Sequence, residues 1–558
     1  MSALVTTAAA LRRPTTRNWC VMPGRDRPQR AIRAALAIAT VSGLLLTAAC
    51  SGDSSDTSEP TGTQGQAIPA DAATIMDTDP YTAARWSYLV VDPETDEVIY
   101  SNQADTFMFL ASQTKHFTVG TVFNDLGVDR KITTPVYATT APVNGTLTGD
   151  LVLVGSGDLA LGGRNADQGK FDFATDGIDH VYADALPGAV LAPGNPLAGL
   201  DAMAEQVAAA GVTRVDGDVL VDPRLWETYD TVEGLVPSIF VNDNLVDIQA
   251  QPGEPGQPAT IQMLPGNGLF TIDNQVTTGA SDSDSTLKVA ADDANPTLLH
   301  VTGSVPAGKT SLTVYRITDA SSWARQLFVE ALQRKGITVS STSTSNNEAA
   351  LPAKDSYQEG QRLASLESAP LGESGGMILA TSYNTGANTF VCLLAVEAGS
   401  DQCADGLPAI RDLSAKAGVP ASDFVIMDGQ GGDPSSATPA AVITWLEWVS
   451  EQPWADTFWS GQPILGERGS LSGVGVDSPA KGKVIGKTST SADVEPGTER
   501  LVVTTQGLSG YLDVGDGKRL LFVVATSNAV FPDLPRGVFQ VGDDVGMVAA
   551  AFQQAQQK

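Results

Sequence analysis

The chain has 558 residues, 42% of them hydrophobic and 18% charged, and its 34 basic and 64 acidic side chains give a formal net charge of −30 at pH 7. That length exceeds an ordinary single domain, so we expect two to four folded units with a sizeable core. The negative charge excludes nucleic acid and anionic lipid surfaces as natural partners, and three His and four Cys are too few for a rich metal site, so we expect no cofactor.

The first fifty residues have the order of an export signal. Four arginines between positions 25 and 33 precede an apolar run at 34–49, and small residues lead into Cys50. Basic, then apolar, then small residues are typical of a secretory signal, and a Cys directly after small residues resembles a bacterial lipobox. We therefore expect residues 1–50 to be a signal peptide with a lipidated Cys50. An ordinary cleaved signal is the alternative.

The composition changes after this leader. Residues 51–73 are polar, acidic and rich in Pro and Gly, as in a disordered tether. Residues 1–49 hold seven of the 34 basic and one of the 64 acidic side chains, so the remainder has a formal charge of −36. Met22 begins a more typical signal than Met1, which leaves the start codon open. We expect an exported envelope protein, anchored by lipid on the outer face of the cytoplasmic membrane.

The first folded stretch contains a candidate nucleophile and base. Residues 86–101 have the pattern of a β-hairpin, and a helix is expected to start near Ser112. Ser112 and Lys115 then lie one turn apart on the same helix face. A buried amine can lose its proton near neutral pH and act as a base toward a Ser hydroxyl. The alternative is a helix-capping Ser beside a surface Lys, and the same spacing recurs at 285–288 and 478–481.

From about residue 140 the pattern changes to short strands separated by Gly and Asp turns, apart from an amphipathic helix at 321–335. Residues 303–310 satisfy the phosphate-loop pattern. That loop needs a helix directly behind it, whereas the next residues have the pattern of a strand. We therefore exclude a nucleotide site here.

The last part of the chain returns to mixed helix and strand. Helical patterns lie at 364–397, 406–417 and 439–451, and strands at 482–487, 499–505 and 519–525. The fold class predicted is a mixed α/β domain split by an inserted β-rich region. Its parts are residues 74–140 for the first piece of the α/β domain, 141–354 for the insertion, and 355–558 for the second piece.

Two further polar groups lie in this last part. Ser382 and Asn384 stand at a helix or its end, where a hydroxyl and an amide could relay a proton and hold a peptide group; a polar helix cap is the alternative. Cys392 and Cys403 are close enough in sequence for a disulfide in an oxidising compartment, with two buried thiols as the other option.

A strand at 482–487 runs into Lys487, Thr488, Ser489 and Thr490. An ammonium and a hydroxyl beside open backbone suit a substrate strand that ends in a carboxylate. An edge strand that merely ends in Lys is the alternative. A Ser-His-Asp hydrolase is harder to build, because His116 points away from the Ser112–Lys115 face and no Gly-x-Ser-x-Gly sequence frames Ser112.

The order Ser-x-x-Lys, Ser-x-Asn, Lys-Thr-Ser resembles the motif set of serine penicillin-binding proteins and β-lactamases. The long gap between Lys115 and Ser382 resembles the D-alanyl-D-alanine carboxypeptidase/endopeptidase family, the low-molecular-mass class C penicillin-binding proteins. In that family, β-rich domains interrupt the penicillin-binding domain after the nucleophile helix. Stretches at 149–158, 363–371 and 468–473 add to the resemblance.

The resemblance implies a role for each motif residue. Ser112 would attack the carbonyl of the penultimate D-Ala, Lys115 would take its proton, and Ser382 would pass a proton to the leaving amine. Asn384 would bind the substrate amide, and Lys487 and Thr488 the terminal carboxylate. The backbone N–H groups of Ser112 and Thr490 would form the oxyanion hole. The implied partners are peptidoglycan stem peptides, with β-lactams as inhibitors that acylate Ser112.

Three departures from the family pattern bear on activity. Ser489 stands where the family has Gly, Leu110 stands where Pro is usual, and residues 428–433 (Asp-Gly-Gln-Gly-Gly-Asp) replace an Asp-Gly-Ser-Gly-Leu-Ser run. Two hypotheses follow. The first is an active serine DD-peptidase, and the second is a muropeptide- or β-lactam-binding lipoprotein without catalysis on the same fold. A β-lactamase would need a placed water and base that the sequence does not identify.

Overall fold

The computed structural model describes residues 66–166, 169–174, 178–354, 356–498, 500–532 and 534–557. The predicted signal peptide, Cys50 and residues 51–65 of the predicted tether lie outside these ranges and stay predictions. The prediction of disorder was wrong at the end of the tether, because a helix begins at Ala70 and buries Ala72. Within the described ranges, no helix has both the length and the apolar character that crossing a bilayer requires.

Helices and strands alternate along the described chain. The helices are α1 (Ala70–Met76), α2 (Thr114–Asp125), α3 (Ala198–Ala209), α4 (Ala320–Arg334), α5 (Leu371–Thr381), α6 (Asn384–Glu397), α7 (Leu407–Lys416), α8 (Pro439–Ser450), α9 (Ala455–Ser460) and α10 (Leu534–Gln556). The strands are β1 (Arg85–Asp92), β2 (Glu97–Asn102), β3 (Met108–Phe109), β4 (Thr133–Ala138), β5 (Thr146–Leu147), β6 (Leu151–Val154), β7 (Ile178–Asp179), β8 (Ala189–Val190), β9 (Arg214–Val215), β10 (Val219–Asp222), β11 (Tyr229–Thr231), β12 (Gly234–Val236), β13 (Leu245–Gln251), β14 (Thr260–Leu264), β15 (Thr271–Gly279), β16 (Lys288–Ala291), β17 (Leu298–Pro306), β18 (Ser311–Arg316), β19 (Thr338–Val339), β20 (Arg362–Glu367), β21 (Phe424–Val425), β22 (Ser436–Ala437), β23 (Val484–Val494), β24 (Leu501–Asp513), β25 (Arg519–Ser527) and β26 (Ala529–Phe531).

The largest sheet joins both ends of the described chain. Its strand order is β2-β1-β25-β24-β23, all neighbours are antiparallel, and β26 pairs with β24. The inner strands β25 and β24 are buried along most of their length. Helix α10 packs against β23, β24 and β25, and α8 packs against β1 and β25. This layered arrangement places β23 at a sheet edge, next to the start of α2.

Residues between α2 and α5 build a second sheet, with strand order β10-β6-β4-β20. Helices α3 and α4 pack against each other and against this sheet. Many of the buried apolar side chains between Val136 and Ala364 form a hydrophobic cluster separate from the one around the largest sheet. Smaller sheets built from β13–β18 follow the short-strand pattern that the sequence predicts for this region. The boundaries at residues 140 and 354 stay predictions.

The helix prediction at 364–397 was wrong at its start. Residues Arg362–Glu367 form β20, which pairs antiparallel with β4, and the helix begins only at Leu371. Pairing with a strand more than 200 residues earlier is a tertiary contact that overrides the local pattern. The helix predicted at 439–451 is confirmed, and Thr438 caps its start by accepting a hydrogen bond at Oγ1 from the N–H of Ala441.

Cys392 and Cys403 form a disulfide, the first of the two options that the sequence leaves open. The bond ties α6 to the short 3₁₀ segment Cys403–Gly406. Since α6 begins at Asn384, the bond fixes the helix that presents this polar side chain. It also fits a protein that matures in an oxidising compartment.

Candidate active site

Ser112 and Lys115 meet at the start of α2. A 3₁₀ turn, Ala111–Gln113, leads into the helix, and Lys115 Nζ donates a hydrogen bond of 2.5 Å to Ser112 Oγ. Both side chains are fully buried. Burial lowers the pKa of Lys115 to about 7, against the opposing charges of Glu233 and Asp428. A substantial share of the amine is therefore neutral near pH 7, which a general base for the Ser hydroxyl requires.

The second motif converges on the same atoms. Ser382 ends α5 with a left-handed backbone (φ +64°), and its Oγ donates to Ser112 Oγ at 2.9 Å. Asn384 begins α6, and its Oδ1 accepts from Lys115 Nζ at 2.6 Å. A positive φ is uncommon for residues other than Gly and is often found at functional sites. The short break between the two helices thus holds Ser382 against Ser112 and Asn384 against Lys115.

Strand β23 lies on the other side of Ser112. Lys487 is fully buried, and its Nζ donates to the carbonyl of Thr488 at 2.8 Å. Burial, reinforced by the charge of Lys115, lowers the pKa of Lys487 well below its usual value. Thr488 Oγ1 lies 2.6 Å from Ser470 Oγ. Two lysine amines share this buried site, and an anionic ligand bound there would favour their ammonium forms.

Ser489 and Thr490 follow Thr488 on β23. Their side chains contact β24 and the 3₁₀ turn before α2. Ser489 Oγ accepts from Gln113 Nε2 at 3.3 Å, and a Cβ added at Gly507 would lie 2.9 Å from it. Thr490 Oγ1 donates to Gln506 Oε1 at 2.6 Å. Ser489 is fully buried in this packing, so its hydroxymethyl group fills space between Gln113 and Gly507.

The unusual loop at 428–433 supports the site from behind. Asp428 Oδ1 accepts hydrogen bonds from the N–H groups of Gln430, Gly431 and Gly432. The carbonyl of Gln430 accepts from Lys115 Nζ at 3.2 Å. Gly431 has φ +101°, and a Cβ there would lie 1.8 Å from the carbonyl oxygen of Ala111. Glycine is therefore required at this position, and the altered loop still provides an acceptor for Lys115.

His116 hydrogen-bonds to Ser509 and not to Ser112. It is fully buried, its Nε2 lies 3.2 Å from Ser509 Oγ, and its ring packs against Phe458. Burial and the charge of Lys487 lower its pKa to about 3, so the imidazole stays neutral. Within the described residues no cluster of three or more His, Cys, Asp or Glu side chains has the arrangement of a metal site.

The inserted region contributes two side chains that sequence reasoning missed. Tyr182 donates a short hydrogen bond to the carbonyl of Ser382. Glu233 lies in the turn between β11 and β12, against α6, and its carboxylate bonds to Asn384. Burial raises the pKa of Glu233, while the charges of Lys115 and Arg316 oppose that rise. No local pattern marks either residue, because only the docking of the insertion brings them to the site.

Replacing Glu233 with glutamine should move the pH dependence of Ser112 acylation to lower pH. The carboxylate stabilises the protonated form of Lys115, so its removal should lower the pKa of Lys115 and free the base at lower pH. The measurement is the rate constant for acylation by a penicillin from about pH 5 to pH 9. The rise of this rate constant with pH reports the loss of the Lys115 proton. The exposed Glu254, changed to glutamine, is the matched control. A shift to higher pH in E233Q would contradict the assignment.

The chain is similar to known proteins along most of its length. The model of the D-Ala-D-Ala carboxypeptidase 3 (S13) family matches residues 70–538. A D-alanyl-D-alanine carboxypeptidase of Actinomadura sp. strain R39 is 27% identical over 528 residues, which span 90% of this chain and 88% of that protein.

Solved structures show the same fold. Penicillin-binding protein 4 of Haemophilus influenzae superposes with a TM-score of 0.62 at 18% identity, covering 87% of this chain and 99% of that one. Its complex with a β-lactam superposes with a TM-score of 0.61 at 18% identity, covering 88% and 100%.

The family model over residues 70–538 defines the class as D-Ala-D-Ala carboxypeptidases, and the fold is the one found in penicillin-binding protein 4. Within that class, the chain belongs to the D-Ala-D-Ala carboxypeptidase 3 (S13) family. The family resemblance seen in the sequence and the predicted mixed α/β fold are therefore confirmed.

Proposed function

We propose that this chain is a serine DD-peptidase that hydrolyses D-Ala-D-Ala bonds of peptidoglycan stem peptides through an acyl-enzyme on Ser112. The observation that carries the proposal is the 2.5 Å contact between Lys115 Nζ and Ser112 Oγ, combined with a Lys115 pKa of about 7. A neutral amine at that distance is placed to accept the hydroxyl proton as the nucleophile attacks.

Acylation of Ser112 and hydrolysis of the resulting ester would use Ser112, Ser382 and two backbone N–H groups. Ser112 Oγ bonds to the penultimate D-Ala carbonyl carbon as its proton passes to Lys115. Ser382, which bonds to Ser112 Oγ, delivers a proton to the leaving amine as the amide C–N bond breaks. Water then cleaves the ester and restores Ser112. N–H groups of Ser112 and Thr490 would stabilise the oxyanion, and one such donor is typically worth about 10²–10³ in rate.

Three further side chains beside Ser112 would bind the substrate. Asn384 presents its amide to the substrate backbone, and Lys487 and Thr488 receive the terminal carboxylate. The low pKa of free Lys487 would rise again when that carboxylate binds, because an opposite charge favours the ammonium. β-Lactams would acylate Ser112 as substrate analogues and so inhibit. We extend the proposal to D-Ala-diaminopimelate cross-links, whose cleavage uses the same acylation step.

The burial of Ser489 favours this proposal over a binding protein without catalysis. Its side chain packs against Gly507 and Gln113, and Gln430 replaces a family Ser while its backbone carbonyl still contacts Lys115. Neither departure removes a group that the acylation step uses.

Release of D-Ala from a peptide that ends in D-Ala-D-Ala tests the proposal. The purified protein should release one D-Ala per peptide, and a penicillin added beforehand should block release. A peptide ending in D-Ala-L-Ala serves as the stereochemical control and should be a poor substrate. A folded protein that neither releases D-Ala nor reacts with penicillin would contradict the proposal and favour the binding protein.

A further inference from the structure

A cavity of about 480 Å³ lies beside the candidate active site. Three parts of the chain form its wall: the inserted region through Ile178 and Tyr182, the loop at 469–474, and helix α10 through Phe539 and Asp543. Cavities that hold ligands in proteins are commonly about 300–1,000 Å³. This one is therefore large enough for a ligand well beyond the size of one alanine.

The cavity adjoins the end of the site that receives the leaving residue. Thr381, in its wall, directly precedes Ser382, and Tyr182 bonds to the Ser382 carbonyl. Ser470, also in the wall, bonds to Thr488. Under the proposed function, Thr488 holds the carboxylate of the leaving residue and Ser382 protonates its amine. The cavity thus begins where the rest of a leaving group larger than D-Ala would extend.

The wall is mainly apolar with an acidic edge. Val474 is buried, whereas Phe539 exposes 36% of its surface. Asp543 is exposed at this edge, and partial desolvation together with the neighbouring Asp544 raises its pKa. Asp179, also in the wall, is already paired with Arg164. Among the described lining residues there is no Lys or Arg. These walls suit aliphatic carbons with N–H groups better than a second anion.

We propose that this cavity binds the leaving strand of a cross-linked peptide, with the aliphatic side chain of its diamino acid against Phe539 and Val474 and an N–H group toward Asp543. This inference rests on the proposed function and adds a binding site to it. The bond that breaks is the amide between the D-Ala carbonyl and the side-chain amine of the leaving strand. The carbonyl passes to Ser112 Oγ, and the amine leaves with a proton from Ser382.

Gly473 offers a way to fill the cavity without touching the catalytic groups. It lies in the wall, a Cβ added there would meet no atom within 4 Å, and its backbone is outside the left-handed region. Gly473→Leu should lower hydrolysis of a cross-linked muropeptide dimer by about tenfold or more, the factor that about 1.4 kcal/mol of lost binding produces. D-Ala release from an uncross-linked pentapeptide and labelling by penicillin should stay within about twofold of wild type, since Gly473 contacts neither Ser112 nor Thr488.

Two further variants sharpen the comparison. Gly360→Leu is the matched control, because Gly360 is exposed and also has open space at its Cβ; it should cleave both substrates as wild type does. Asp543→Asn should raise the KM for the dimer and leave the KM for the pentapeptide unchanged.

The outcomes separate this inference from the proposed function. A Gly473→Leu protein that cleaves the dimer as well as wild type does, or that loses both activities equally, overturns the cavity assignment. Wild-type protein that releases D-Ala and binds penicillin but leaves the dimer intact also overturns it, while the proposed function stands. Wild-type protein that neither releases D-Ala nor binds penicillin would contradict the proposed function itself.

Discussion

Replacing Ser112 with alanine is expected to abolish both D-Ala release and covalent labelling by a fluorescent penicillin. Ser112 Oγ accepts hydrogen bonds from Lys115 and Ser382. Among the described residues, no other hydroxyl hydrogen-bonds to both of these side chains. Loss of a nucleophile typically lowers the rate by more than about 10³-fold. The labelled band on a gel and the rate of D-Ala release measure the effect.

The chain supplies its own control for this variant. Ser478 and Lys481 repeat the Ser-x-x-Lys spacing, but Ser478 bonds to the N–H of Ala480 at the protein surface and Lys481 is exposed. Ser478→Ala should label and hydrolyse as wild type does. Labelling that persists in a folded Ser112→Ala protein would place the nucleophile elsewhere.

Replacing Lys115 with methionine should slow acylation of Ser112 by about 10²–10⁴-fold, the usual contribution of a general base. Methionine has nearly the same length and volume but cannot accept a proton. Removing the buried amine relieves its desolvation cost but leaves its hydrogen-bond acceptors unpaired, so the two effects offset and the melting temperature should change little. The acylation rate, followed with a chromogenic β-lactam, gives the kinetic effect.

Lys481→Met provides the matched control on the exposed copy of the motif and should acylate at the wild-type rate. Near-wild-type acylation by a folded Lys115→Met protein would assign the base to another group. A drop in both melting temperature and activity would show a structural role for the Lys115 amine in place of the proton transfer.

Local sequence patterns predicted the parts of the site that local geometry determines. The spacing of Ser112 and Lys115 needs only one helical turn to bring Nζ to Oγ. The strand predicted at 482–487 is present, but it was expected to end at Lys487, whereas β23 continues through Thr488 to Val494. The sequence pattern also predicted the helix near 321–335, which the structure places at Ala320–Arg334.

Local sequence patterns could not predict contacts between segments that lie far apart in the sequence. Glu233 reaches Asn384 only because the β11–β12 turn packs against α6, and Tyr182 reaches Ser382 from a 3₁₀ turn in the insertion. The stretch at 468–473 resembles the family in sequence, but only the fold shows that its Ser470 lies beside Thr488. The strand at Arg362–Glu367 belongs to the same group, since its partner β4 lies before the whole insertion.

The departures from the family motifs show why residue identity alone is a weak guide to activity. Asp428 holds its loop through three backbone N–H groups, so the positions that follow can change while the backbone keeps its path. Lys115 contacts the carbonyl of Gln430 and not its side chain. Asn388 binds that side chain instead, through Gln430 Oε1 at 3.0 Å.

Mass mapping of the adduct formed with penicillin tests the central claim most directly. Wild-type protein is treated with benzylpenicillin, its intact mass is measured, and the modified residue is located by peptide sequencing. We expect one penicilloyl group per chain, attached to Ser112. A folded protein that gains no mass, or an adduct located on Ser382 or another residue, would contradict the assignment of Ser112 as the nucleophile.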